Sequence, residues 1–195
     1  MLAYVFWHWR RPDVESAAYE SAQRRFHAAL AAAPAEGFVH SHSAALQGAT
    51  WAAGGGAAYE DWYVVHASAA LDSLNAAAIS ASRQAPHDAA AALAAGGTAG
   101  LYALRAGVAL TAPAHATWFA KPAGMSYAQL DVALKEVVAQ GACVWMRFMV
   151  LGPTPEFCLH SEEELVLPEP LVGLRLRLRT VWPDGGRLVE DGERR

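Results

Sequence analysis

Lysine is nearly missing from this chain: Lys121 and Lys135 are the only two in 195 residues. With 15 Lys+Arg against 19 Asp+Glu the formal net charge is −4, so no dense basic surface that could track phosphates is expected, and nucleic acid drops out as a partner. Long apolar runs are also lacking. The opening MLAYVFWHWRR holds an apolar run of about eight residues with no positive segment before it. That is too short for a membrane span of ~20 residues and unlike a secretory signal, so a cytoplasmic protein without a membrane partner is expected. Cysteine is scarce as well. Cys143 and Cys158 fall on successive predicted strands joined by the turn LGPTPE. A hairpin there sets Cys158 opposite about residue 149 and leaves Cys143 far up the ladder, so free thiols are predicted, with no metal-site spacing.

What is present is apolar bulk: 54% of the chain is hydrophobic, enough for one large core or two compact modules sharing one. Residues 59–65 are aromatic and β-branched, as a strand requires, and Leu71, Leu74 and Ala78 then recur at helical spacing. The signature returns near the C-terminus, where FCLHSEEEL (157–165) matches YVVHASAAL (63–71), pairing His160 with His66.

In chain order, residues 2–9 read as a strand covered on both faces. Asp13 is the expected cap of a helix bearing Tyr19, Ala22, Phe26 and Leu30 on one stripe, which Pro34 stops. Residues 37–46 form a second strand, and QGATWAAGGGAA a long glycine-rich loop carrying Trp51. After the strand and helix of 59–80 come a short helix near Pro86, a break at Gly96 and Gly97, and a fourth strand, AGLYALRAG. The order is β-α-β-β-α-β. The second half repeats it with shorter connections: a strand ending at Lys121-Pro122, a helix with Ser126 and Gln129 as a capping box, ACVWMRFMVL, PEFCLHS, and GLRLRLR. SEEELVLPEP after His160 is too short for a full second helix and its return. The predicted architecture is α+β, with a ferredoxin-like module at 1–110, a truncated one at 111–182 and a loose tail at 183–195.

On this element order and duplication, over about residues 1–182, the chain resembles the dimeric α+β barrel superfamily in its fused, pseudo-dimeric form. The resemblance implies two modules facing each other across a barrel. The superfamily includes cofactor-free monooxygenases, small-molecule isomerases and dehydratases, haem-binding chlorite dismutase-like proteins, and members without known activity, so fold alone selects no reaction.

Three groups of residues carry candidate chemistry. His8 shares a face with Tyr4 and Phe6, is followed by Arg10, and ends near Tyr59, Glu60 and Asp61 of the third strand. His8 and Arg10 are the candidate catalytic pair for a small carbonyl or phenolic substrate, the alternative being a salt-bridged strand end. Trp9, Trp51, Tyr59 and Trp62 are the candidate ligand-binding residues, in a cavity lined by His8, by Trp7 or Trp9 and by Trp51 or Trp62, gated by residues 47–58. No metal or cofactor is favoured; the alternative is a transition metal or haem on His40, His42 and His66, if the long hairpin brings His66 beside the other two. Arg175, Arg177 and Arg179 alternate with leucines and form either an anion-binding wall inside the barrel or a solvated edge.

The functional expectation is a small-molecule-binding protein or cofactor-free enzyme, monooxygenase- or isomerase-like, with self-association left open. The alternatives are a non-catalytic structural or interaction module and a metal or haem protein. Unfolding the protein without reductant is expected to expose two titratable thiols; a titre of zero would reveal a disulfide.

Overall fold

The first strand, β1 (Leu2–Arg10), lies between β3 (Ala58–Val65) and β4 (Ala94–Ala106), antiparallel to both, while β2 (Phe38–Leu46) flanks β3. Between the strands run α1 (Ser16–Ala32), α2 (Ala70–Ala78), a 3-10 turn (Ala81–Arg83) and α3 (Gln84–Ala91). The second half supplies β5 (His115–Phe119), α4 (Tyr127–Ala139), β6 (Cys143–Arg147), β7 (Phe157–Ser161), β8 (Gly173–Arg177) and β9 (Arg179–Trp182). The computed structural model describes residues 1–53, 56–150 and 152–183. Gly54 and Gly55 of the expected loop, and residues 184–195 of the expected tail, lie outside them. Among the described residues no helix is long and apolar enough to cross a membrane.

The nine strands of the described residues join one antiparallel sheet in the order β8-β5-β7-β6-β4-β1-β3-β2-β9. Each half contributes four strands in the order fourth, first, third, second, and β4 with β6 forms the seam between halves. The last strand decides the shape. Residues 173–177 pair with β5 at one edge of the sheet, residues 179–182 pair with β2 at the other, and only Leu178 separates them. The edges therefore meet along one continuous segment and the sheet closes into a barrel. Arg175, Arg177 and Arg179 are exposed on this segment, whereas Leu176 and Leu178 are buried, so the arginines point to solvent and not into the barrel.

Strand periodicity separates two cores. Ala3, Val5 and Trp7 of β1 and Trp62 and Val64 of β3 join Trp118, Trp145 and Tyr102 inside the barrel. Leu2, Tyr63 and Val65 face outward and pack under Phe26 and Leu30 of α1 and Leu74 of α2. The helical stripe of α1 is as its spacing predicts: Tyr19, Ala22, Phe26 and Leu30 are all buried. In α4, Ser126 accepts from the Gln129 backbone and the Gln129 side chain returns to the Ser126 N–H, the reciprocal pair that the sequence signalled.

Several local expectations are corrected. Asp13 does not cap α1; it is held in an exposed pair with Arg11 at 2.6 Å, and the helix starts after Glu15. Gly96 and Gly97 do not break the chain but lie within β4. Cys143 and Cys158 are unbonded and buried, but Cys158 stands opposite Trp145, because β6 ends at Arg147 and the turn begins earlier than the apolar run suggested. The match of His66 to His160 fails. His66 is exposed one residue beyond β3, whereas His160 is fully buried within β7. Pro12 and Pro122 do occupy like places, just after β1 and β5. No helix intervenes between β7 and β8, as the short connection required.

Gly96 and Gly97 are a packing device. A Cβ on Gly97 would sit 2.4 Å from the Phe6 ring, and one on Gly96 2.8 Å from the Trp9 indole. Each aromatic ring occupies the place where a side chain would stand. Gly97→Ala is expected to destabilise the protein by about 1–3 kcal/mol in urea unfolding, because the new methyl would displace the Phe6 ring and crowd the Trp7 carbonyl oxygen.

Candidate functional site

Strand β3 places two adjacent carboxyl groups on opposite faces of the sheet, and both are buried. Glu60 lies inside the barrel. Asp61 lies outside it, under α1. Each occupies a different electrostatic world.

On the helix side, Asp61 Oδ2 gathers three neighbours: Tyr63 donates its hydroxyl at 3.0 Å, His8 Nε2 stands at 3.1 Å and His27 Nε2 at 3.3 Å. The second nitrogen of each imidazole meets a hydroxyl, His8 Nδ1 with Tyr19 at 2.7 Å and His27 Nδ1 with Ser41 at 2.8 Å. Burial alone would raise the Asp61 carboxyl, but the two histidines beside it hold it well below the usual carboxylate range. Asp61 is thus a buried carboxylate, and its second oxygen, Oδ1, has no partner. Burial pushes the Tyr19 and Tyr63 phenols up, with the Asp61 charge adding to it, so both stay protonated.

This cluster forms part of the wall of a cavity of about 690 Å³ between the sheet and the helices. Asp61, Tyr63, Tyr19 and Gln23 supply polar groups; Phe6, Phe26, Leu71 and Leu74 supply apolar surface; Asn75 of α2 and His87 of α3 add further polar positions. Asp61 is 2% exposed and His8 0%, so the charge is enclosed rather than solvated. An apolar concavity with a few convergent polar groups is the usual form of a small-molecule site.

Inside the barrel, Glu60 accepts from the Trp7 indole at 3.2 Å, and its Oε1 lies 3.8 Å from His160 Nε2. Burial raises Glu60 from 4.5 to about 7, with the Trp7 and Trp62 indoles partly offsetting it, and burial lowers His160 to about 3. Between those values both groups are neutral, so their proximity is not an ion pair. His42 is also held well below its ordinary value by burial; it stacks on Trp62 and meets His160 edge-on.

The sequence-predicted residues are divided between these places. His8 belongs to the outer cluster, where it backs Asp61 and Tyr19 rather than lining the cavity itself. Tyr59 stacks on His8 and donates to Glu20, which also clamps Arg179. Arg10 does not join His8; its guanidinium donates to the Val14 and Arg11 carbonyls and shapes the turn before α1. Trp7 and Trp62 point into the barrel, since neighbouring strand residues face opposite ways, and Trp51 packs edge-on against Trp7 and Trp118. Trp9 covers Gly96. The expected cavity uniting His8 with these tryptophans therefore does not form, and Ala49 and Ala52 of the supposed gate are buried in the barrel core. His40 and His42 share the inner face, but β2 pairs His40 with Val64, which leaves His66 exposed beyond the strand and away from them. Among the described residues no group of three or more His, Cys, Asp or Glu side chains is gathered for a metal ion.

His27 and Gln23 were not anticipated. With Tyr19 they follow a spacing of four along α1, beside the apolar stripe, and that polar line on a buried face was the available signal.

A solved structure shares this fold. A protein from Fusobacterium nucleatum subsp. nucleatum ATCC 25586, provisionally described as a monooxygenase, matches with a TM-score of 0.62 at 9% identity over 92% of each chain. A protein provisionally described as a chlorite dismutase matches at 0.48 and 9% identity, over 92% of this chain and 95% of its own, and an anthrone oxidase-like protein at 0.48 and 9% over 93% of each. At such identity the likeness to the Fusobacterium protein is one of fold alone. No family model matches the sequence, and no curated protein does.

Glu60 has a consequence for stability. Its folded value lies above its unfolded one, so its contribution is fully present below pH 4.5 and is lost as pH rises through about 7. His160 runs the other way, its contribution being present above 6.5 and lost as pH falls toward about 3. The stability difference between wild type and Glu60→Gln is expected to shift by about 3 kcal/mol in favour of the variant between pH 4.5 and 7.5, read from urea unfolding across that range, because His160 is common to both proteins. A difference independent of pH would mean that Glu60 titrates normally.

Proposed function

We propose that the chain binds a small, largely apolar molecule carrying a hydrogen-bond donor in the cavity between sheet and helices, and that Asp61 anchors it. One observation carries the reading: Asp61 Oδ1 is a buried, unpartnered carboxylate oxygen on a residue that lines the cavity. An ionised acceptor without a donor is costly to keep, and a ligand hydroxyl would satisfy it. The surrounding phenylalanine and leucine side chains suit a planar ring system. The fold likeness to a protein provisionally described as a monooxygenase is consistent with a site for such molecules and selects no reaction.

We also read the two halves as copies of one ferredoxin-like module, the second lacking its later helix. The repeated strand order, the like positions of Pro12 and Pro122, and the inward Trp7 and Trp118 on the first strand of each half support this.

The test compares 2-naphthol with 2-methoxynaphthalene, which keeps the rings and loses the donor. 2-Naphthol is expected to bind at least ten times more tightly by calorimetry, the scale of a hydrogen bond to a charged group, and Asp61→Asn should narrow that gap. Equal affinity for the two compounds in the wild type would refute the anchoring role. Binding of neither would return the chain to the structural or interaction reading.

A further inference from the structure

Asp61 heads two lines of side chains that end in hydroxyls, Asp61–His8–Tyr19 and Asp61–His27–Ser41. They differ in where they end. Tyr19 is part of the cavity wall, and Ser41 is not. The Asp61 carboxylate stands 3.1 Å from His8 Nε2 without a hydrogen bond in line, and its charge favours the tautomer with its proton on that nitrogen. Nδ1 is then a lone pair, and it accepts the Tyr19 hydroxyl. The Gln23 amide takes one lone pair of the Tyr19 oxygen, and the other is left for a proton from a molecule in the cavity that Tyr19 helps to line.

From this geometry we infer that Tyr19 is a catalytic residue for proton abstraction from carbon next to a carbonyl, with His8 as the proton's destination and Asp61 as the positioning residue behind it. The inference rests on the cavity being the ligand site. In the step, the substrate C–H bond breaks and its proton goes to Tyr19 Oη. The Tyr19 O–H bond breaks at the same time and that proton goes to His8 Nδ1. The products are an enolate and an imidazolium paired with the Asp61 carboxylate; return of the proton through Tyr19 to the enolate oxygen completes a keto–enol isomerisation, and return to the same carbon completes hydrogen exchange, with no oxidant or reductant. A tyrosine held protonated at rest is suited to this role because it never needs to ionise alone. The substrate class is an enolisable ring ketone, its remote hydroxyl on Asp61 and its acidic carbon at Tyr19. Gln23, one turn along α1 and also in the cavity wall, places its amide beside the Tyr19 hydroxyl.

The probe is 6-hydroxy-2-tetralone in deuterated buffer, its α-hydrogen exchange followed by NMR and its affinity by calorimetry. The wild type is expected to bind it and to speed exchange at least a hundredfold over buffer, and Tyr19→Phe to bind within threefold but exchange near the buffer rate. Replacing Tyr19 by 3-fluorotyrosine, which keeps the shape and acidifies the phenol, should change the exchange rate severalfold without changing affinity, and it decides the matter if the phenylalanine variant does not fold. Binding by the wild type without faster exchange would overturn the relay while leaving the cavity reading intact, as would a Tyr19→Phe variant, or a fluorotyrosine protein, with unchanged exchange. Absence of binding would overturn both.

Discussion

Two carboxyl groups on successive residues of a central strand cannot share a face, and much of this protein follows from that constraint. The alternation of β3 sends Glu60 among indoles and Asp61 among imidazoles and phenols. In one place desolvation prevails and the carboxyl is held as an acid up to about pH 7; in the other, two histidines outweigh desolvation and the group is an anion. Moving the register of β3 by one residue would exchange these environments and leave each group with the wrong partners. The long, fully buried strand, paired on both sides, makes such a slip costly.

The size match between glycine and aromatic side chains holds that register from the neighbouring strands. Phe6 covers Gly97 and Trp9 covers Gly96 across the β1–β4 ladder, so large rings lie where β4 has no side chains. Inside the barrel, Trp7, Trp62, Trp118 and Tyr102 meet at ring separations of 5.4–6.2 Å and fill it, leaving the helix side as the place where a large cavity remains. A ligand site thus falls where helices span the sheet rather than where strands close on themselves.

The fold was legible because its elements are strongly periodic. The stripe of α1, the capping box of α4 and the missing helix after His160 could each be read from spacing or length alone. The site was legible only in part. His8 stood out as a histidine at a strand end, and its neighbours Tyr59 and Asp61 were inferred from antiparallel order. The tryptophans misled, because abundant aromatic residues signal a filled core as readily as a pocket, and only the face of each strand distinguishes the two. His66 misled through resemblance to His160 in a short string, in which burial, the physical quantity that matters, is not written. His27 escaped notice because a single buried polar residue beside a helical stripe becomes significant only when the partner strand brings a carboxylate to it.

The strand 173–182 bridges both margins of the sheet, and in chain order it follows every other strand of the described residues. Until it emerges, β5 and β2 each present a row of unpaired backbone donors and acceptors, in a chain whose other strands can already pair. A nascent or truncated chain ending before Gly173 would carry two adhesive edges at once. Pairing of this segment with both margins is therefore also the step that removes the tendency of the sheet to pair with its neighbours, and this gives ten residues a protective role.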